Sequence, residues 1–109
     1  MLLPEDDRHR LQPPVPKVPL GELVVTPRAF QALNWEDIWY GTTRHMHGEW
    51  GDLDAAGRQE NDRAVLLRCR VRSVYRSILG VRFWVVTNAD RGKTTVLLPD
   101  EAHLLGEPE

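Results

Sequence analysis

The chain has 109 residues, of which 41% are hydrophobic and 28% charged, and its formal net charge is −2. This is the composition of one small soluble domain with no global pull toward nucleic acid or membrane, and the single cysteine excludes an intrachain disulfide or a cysteine-rich zinc site. No apolar run approaches the ~18 residues of a membrane helix, and "MLLPEDDRHR" lacks the basic start and apolar centre of a signal peptide, so a cytoplasmic chain without a membrane partner is expected.

Residues 1–19 carry Pro4, Pro13, Pro14, Pro16 and Pro19 together with a burst of charge from Glu5 to Arg10. Proline removes backbone donors and this composition cannot bury a face, so the segment is predicted to be an extended arm. "PPVPKVP" reads either as a polyproline ligand or as a stretch pinned by Leu11, Val15 and Val18. The rest, 20–109, is expected to form a single α+β domain.

"GELVVT" is a short strand or extended entry, and Thr26-Pro27 starts a helix, Thr as N-cap and Pro at the first helical position. Asn34 caps a second segment with Glu36 and Asp37 in its first turn. Trp35, Ile38, Trp39 and Thr42 recur at helical spacing and are predicted to be a buried stripe. Gly41 weakens that helix, and Gly48 stops it. Asp52 or Asp54 caps a third helix over roughly 55–66.

From Leu67 the periodicity becomes two. "LRCRVRSVYR" alternates Leu67, Cys69, Val71, Ser73 and Tyr75 against Arg68, Arg70, Arg72, Val74 and Arg76, and makes Cys69 a buried thiol. A turn with Gly80, a strand over 81–87, the polar turn "NADRGK" and a strand over 94–99 complete a meander. "PDEAHLL" begins a short final helix. The predicted architecture is N-terminal helices packed on one face of a small antiparallel meander of three to four strands.

Three groups of residues suggest chemistry. Arg68, Arg70 and Arg72, with Arg76 beyond and Arg82 and Trp84 on the hairpin partner, suit either a phosphate track with a stacking platform or a solvated outer sheet face. In "RHMHGEWGDL", His45 and His47 are two apart, so on a helix they diverge by about 200° and cannot share a metal. A single histidine remains a candidate general acid or base, and His45, turned toward the core boundary, is the better placed; a histidine at the helix dipole is the alternative. Hydroxyls at Ser73, Tyr75, Thr87, Thr94 and Thr95 cluster at strand ends, with Asp90 and Arg91 in the turn. No phosphate-binding glycine loop and no serine-nucleophile elbow is present, and no metal or cofactor is expected.

With these residues in place, the chain resembles a family of small bacterial proteins without an assigned activity, often carried on plasmids and other mobile elements. The shared pattern is "LG-x-[IL]-V-x-T-P-x-A-x-x-A" at 20–32, "RH-x-x-G-x-WGDL" at 44–53, Asn61, "S-x-Y" at 73–75 and "T-x-x-DR-x-x-TT-x-LLP-x-E" at 87–101. In architecture it also resembles the barnase, colicin D and RelE-type ribonucleases, which cleave RNA without metal. That resemblance implies His45 as general base or acid and Arg44, Arg76 or Arg91 stabilising the phosphate. It implies Ser73, Tyr75, Thr87 and Thr95 hydrogen-bonding RNA. A second acid or base is not found. Two readings therefore stand: a nucleic-acid-acting, ribonuclease-like domain with His45, Tyr75, Arg76 and Thr87 in catalysis, or a non-catalytic module for nucleic acid or a host protein whose pattern residues are structural. A homodimer is compatible with both.

Overall fold

The computed structural model describes residues 15–106. Its elements run β1 (Glu22–Val25), α1 (Pro27–Ala32), α2 (Trp35–Met46), α3 (Ala55–Leu67), β2 (Val71–Arg76), β3 (Arg82–Thr87), β4 (Lys93–Leu97) and a 3-10 helix (Pro99–Leu105). Residues 1–14 of the predicted arm lie outside the described residues. Of its remainder, Val18 is fully buried, and the Lys17 and Val18 amides both bond to the Met46 carbonyl. Val15 is exposed and pins nothing.

Local capping chemistry sets the helix starts. Thr26 Oγ1 accepts from the Ala29 amide ahead of Pro27. Asn34 and Asp37 form a reciprocal capping box at α2, and Asp54 accepts from the Gly57 amide at α3. Gly48, at φ +82°, follows the end of α2.

The sheet order is β1-β4-β3-β2, with β2–β3 and β3–β4 antiparallel as the meander predicts. β1 adds alongside β4 in parallel, so the sheet is mixed. Gly21 and Gly92 make that approach: a Cβ at Gly21, itself at φ +63°, would sit 2.5 Å from the Gly92 backbone.

One sheet face carries Val71, Ser73, Tyr75, Phe83, Val85, Thr87, Thr94 and Val96, as the registers require. α1 and α2 cover it through Ala29, Leu33 and Ile38, which join Tyr75, Phe83, Val85 and Val96 in the main core. The face α2 buries is Ile38, Gly41, Thr42 and His45. Gly41 is the point of closest approach, since a Cβ there would lie 2.8 Å from the Phe83 ring. The predicted stripe is thus corrected in half of its members: Ile38 and Thr42 are buried, but Trp35 and Trp39 are 66% and 59% exposed.

α3 runs along the free edge of β2, and Val18, Trp50, Ala64 and Val71 form a second small cluster there. The edge itself is closed by other parts of the chain. Asn61 Nδ2 donates to the Arg72 carbonyl (2.7 Å), and Asn61 Oδ1 takes the Arg72 amide (3.4 Å). One pair further on, the Val74 amide donates to Trp50 O and the Val74 carbonyl accepts from the Asp52 amide. A Cβ on Gly51, at φ +78°, would run into the Val74 carbonyl, so this glycine is required for the strip to lie against β2.

Two sequence expectations fail between residues 67 and 70. α3 continues through Leu67, and Arg68 ends it in the left-handed conformation at φ +58°. The strand begins only at Val71. Cys69 is therefore exposed instead of buried, and Arg68 leaves the arginine stripe.

Candidate functional site

The four residues expected to catalyse do not share a concave site. His45 is completely buried beneath the inner sheet face, with Thr87 and Ser73 equally inaccessible. Tyr75 is on the same face, but its hydroxyl donates to the Glu49 carbonyl, and burial pushes its pKa up to about 12. Arg76, the next residue along β2, points from the opposite face, 4.0 Å from the Asp52 carboxylate. The expectation that His45 stands at a boundary is corrected: helix rotation carries the ring inward together with Ile38 and Thr42.

The surroundings of His45 are a closed chain of hydrogen bonds. Nδ1 lies 2.6 Å from Ser73 Oγ, and Nε2 lies 2.8 Å from Thr87 Oγ1. Thr87 Oγ1 is 2.6 Å from Thr94 Oγ1, which donates to the Leu20 carbonyl at 2.7 Å. The last bond orients the rest, because a carbonyl only accepts and each hydroxyl has one proton. Thr94 spends its proton on Leu20, so it accepts from Thr87; Thr87 then accepts from Nε2–H, and Nδ1 accepts from Ser73. His45 is the neutral Nε2–H tautomer. Burial lowers its pKa to about 3, and the Arg91 charge acts in the same direction. Trp50 packs edge-on against the ring, with centroids 5.9 Å apart.

The remaining pattern residues are tied down similarly. Thr26 Oγ1 donates to Glu101 Oε1 (2.8 Å), which also takes the Leu98 amide. Trp50 Nε1 donates to Asp62. Arg44 bonds Glu49 through Nε at 3.1 Å and lies over the Tyr40 and Tyr75 rings. Arg91, expected to meet a phosphate, is instead buried in the left-handed conformation at φ +62°. Its guanidinium donates to the carbonyls of Cys69, Asn88 and Ala64, joining the end of α3 to the β3–β4 turn.

The outer sheet face is different. Here α3 and the 3-10 helix wall a groove of about 860 Å³ floored by Arg70, Arg72, Trp84 and Val86. The Arg72 guanidinium lies over the Trp84 indole, 4.5 Å from its centroid. Arg63 and His103 stand on the walls, with Glu60 the acidic member. Of the predicted binding residues, this groove gathers Arg70, Arg72 and Trp84. Arg82 and the half-buried Thr95 share the same sheet face outside its lining, and Arg44, Arg68 and Arg91 lie elsewhere. Arg63 was missed by sequence reasoning, and the short helix expected at "PDEAHLL" is present without its place on the groove wall having been foreseen. The spacing Glu60, Arg63, Ala64, Leu67 along α3 is the signal that could have found the wall.

Among the described residues, no group of three or more His, Cys, Asp or Glu comes together to hold a metal, and no helix is long and apolar enough to cross a membrane. No family model, no curated protein and no solved structure matches the chain.

Proposed function

We propose that the chain is a non-catalytic binding module whose pattern residues hold the fold, and that its outer groove takes a segment of single-stranded nucleic acid. One observation carries this reading: the Arg72 guanidinium stacked on Trp84 in the floor of an open groove that also holds Arg63 and Arg70. A stacked guanidinium and indole offer a flat surface to an unpaired base, while neighbouring arginines meet phosphates. Arg63 and Arg72 have no carboxylate partner among the described residues, so their charges are available. The net charge of −2 makes the attraction local to the groove.

The ribonuclease-like reading draws no support from the position of His45, since a general base must come within hydrogen-bonding reach of the 2′-hydroxyl and this ring is fully enclosed. The test uses labelled single-stranded RNA and DNA with the whole chain. Binding is expected, weakening with salt by a log–log slope of about −0.7 per phosphate neutralised, and the RNA should remain intact with or without divalent metal. No binding at low salt, or binding unchanged in Arg72→Ala and Trp84→Ala, sinks the groove assignment. RNA cleavage lost in a folded His45→Gln variant would restore the ribonuclease.

A further inference from the structure

The sequence pattern asks for burial at Trp35 and Trp39, and the single chain does not supply it. Both indoles project from the outer side of α2, one turn apart. Tyr40 is 54% exposed on the same side, and Ile78 and Leu79, at the β2–β3 hairpin tip, are 83% and 85% exposed. The hairpin is fastened to α2 by the Ile78 amide, which donates to Asp37 Oδ1 at 3.1 Å. Ile78 therefore lines one depression with Trp39, Tyr40, Glu36 and Arg76, the last held by Asp52 at 4.0 Å. The exposed parts of these five side chains amount to on the order of 600 Å² if a buried aromatic covers roughly 150–250 Å². Taken together this approaches the ~800 Å² that each partner contributes to a stable complex.

The charges on this surface favour a second copy. Glu36, Tyr40 and Arg44 recur every four residues, in a row beside the Trp35–Trp39 row. Glu36 has no ion pair among the described residues, and Arg44 uses only Nε on Glu49. A two-fold axis through Tyr40 that pairs α2 with α2 in antiparallel fashion brings Glu36 of each copy near Arg44 of the other and sets Trp39 beside Trp39 of the second copy, with Trp35 further out along the seam. An anionic lipid surface would instead meet Glu36 in the middle of the patch.

We propose that the outer face of α2 and the β2–β3 hairpin tip form a symmetric interface between two copies of this chain. α2 covers the inner sheet face and the groove lies on the outer one, so pairing leaves both grooves open.

Sedimentation equilibrium of the full chain over a concentration series tests it. A monomer–dimer equilibrium is expected. Trp39→Glu and Glu36→Arg, both at exposed positions, should each raise the dissociation constant tenfold or more. In Glu36→Arg, the further change Arg44→Glu should recover part of the loss, with circular dichroism confirming the fold of each variant. A chain that stays monomeric at its highest concentration overturns the proposal and leaves the face to a different partner. A dimer indifferent to both Trp39→Glu and Glu36→Arg overturns it equally.

Discussion

The two faces of the sheet use the same kinds of residue to opposite ends. On the inner face His45, Ser73, Thr87 and Thr94 lie within a core from which water is excluded, and each finds its partner in another member or in the Leu20 carbonyl. On the outer face Arg72 and Trp84 also touch each other, but in an open groove where charge and indole stay accessible. A polar cluster is a site only where some of its bonding capacity is left to a ligand. By that criterion the histidine belongs to the architecture, whereas Arg72 and Trp84 are the pair on which the proposed recognition rests.

The sharpest way to break this contrast is to remove the ring. His45→Ala leaves a cavity and deprives Ser73 and Thr87 of their partners, so it should cost about 3–5 kcal/mol, read from denaturant melts. A loss under about 1 kcal/mol would mean that the inner chain contributes little.

The same residue sets a pH dependence. His45 has a pKa near the ordinary 6.5 when unfolded and about 3 when folded, so between those values the unfolded chain binds the extra proton. Stability is complete above 6.5 and falls as the pH drops toward 3, by up to about 1.4 kcal/mol per unit from this group. Melts at stepped pH should show the slope, and His45→Gln should flatten it.

Arg91→Lys is expected to be milder, about 1–3 kcal/mol, because an ammonium cannot reach carbonyls on both α3 and the following turn. The smallest effect on stability belongs to the other face. Trp84→Ala, which removes a half-buried indole, should cost folding about 1–2 kcal/mol and weaken nucleic-acid binding about tenfold, in line with the 1–3 kcal/mol of a base–aromatic stack. Damage to folding equal to that of His45→Ala would place Trp84 with the core residues and erase the distinction.

What could be read beforehand was local. Thr26-Pro27, Asn34 and Gly48 act on backbone groups within four residues, so their roles as caps and stop show in the sequence alone, and the α3 cap, open between Asp52 and Asp54, falls to Asp54. The misreadings come from information carried by distant partners. Trp35 and Trp39 fit a helical stripe, but the side that packs is chosen by Phe83 and Tyr75, which need the close approach that Gly41 allows. Alternation beginning at Leu67 suggested a strand, while the helix keeps its hydrogen bonds until Arg68 turns left-handed. The parallel pairing of β1 depends on Gly92, some seventy positions away from Gly21 in the chain. The site divides in the same way: Arg70, Arg72 and Trp84 follow from alternation, whereas Arg63 needs α3 to be laid beside the sheet.

The hydrogen bonds through His45 also determine what the core can conduct. A proton wire works by handing a proton on at its far end and then turning every bond around for the next. This one ends at the Leu20 amide carbonyl, which has no proton to return and cannot keep one near neutral pH. Ser73, His45, Thr87 and Thr94 are thus locked in a single polarity and form an insulator at the centre of the molecule.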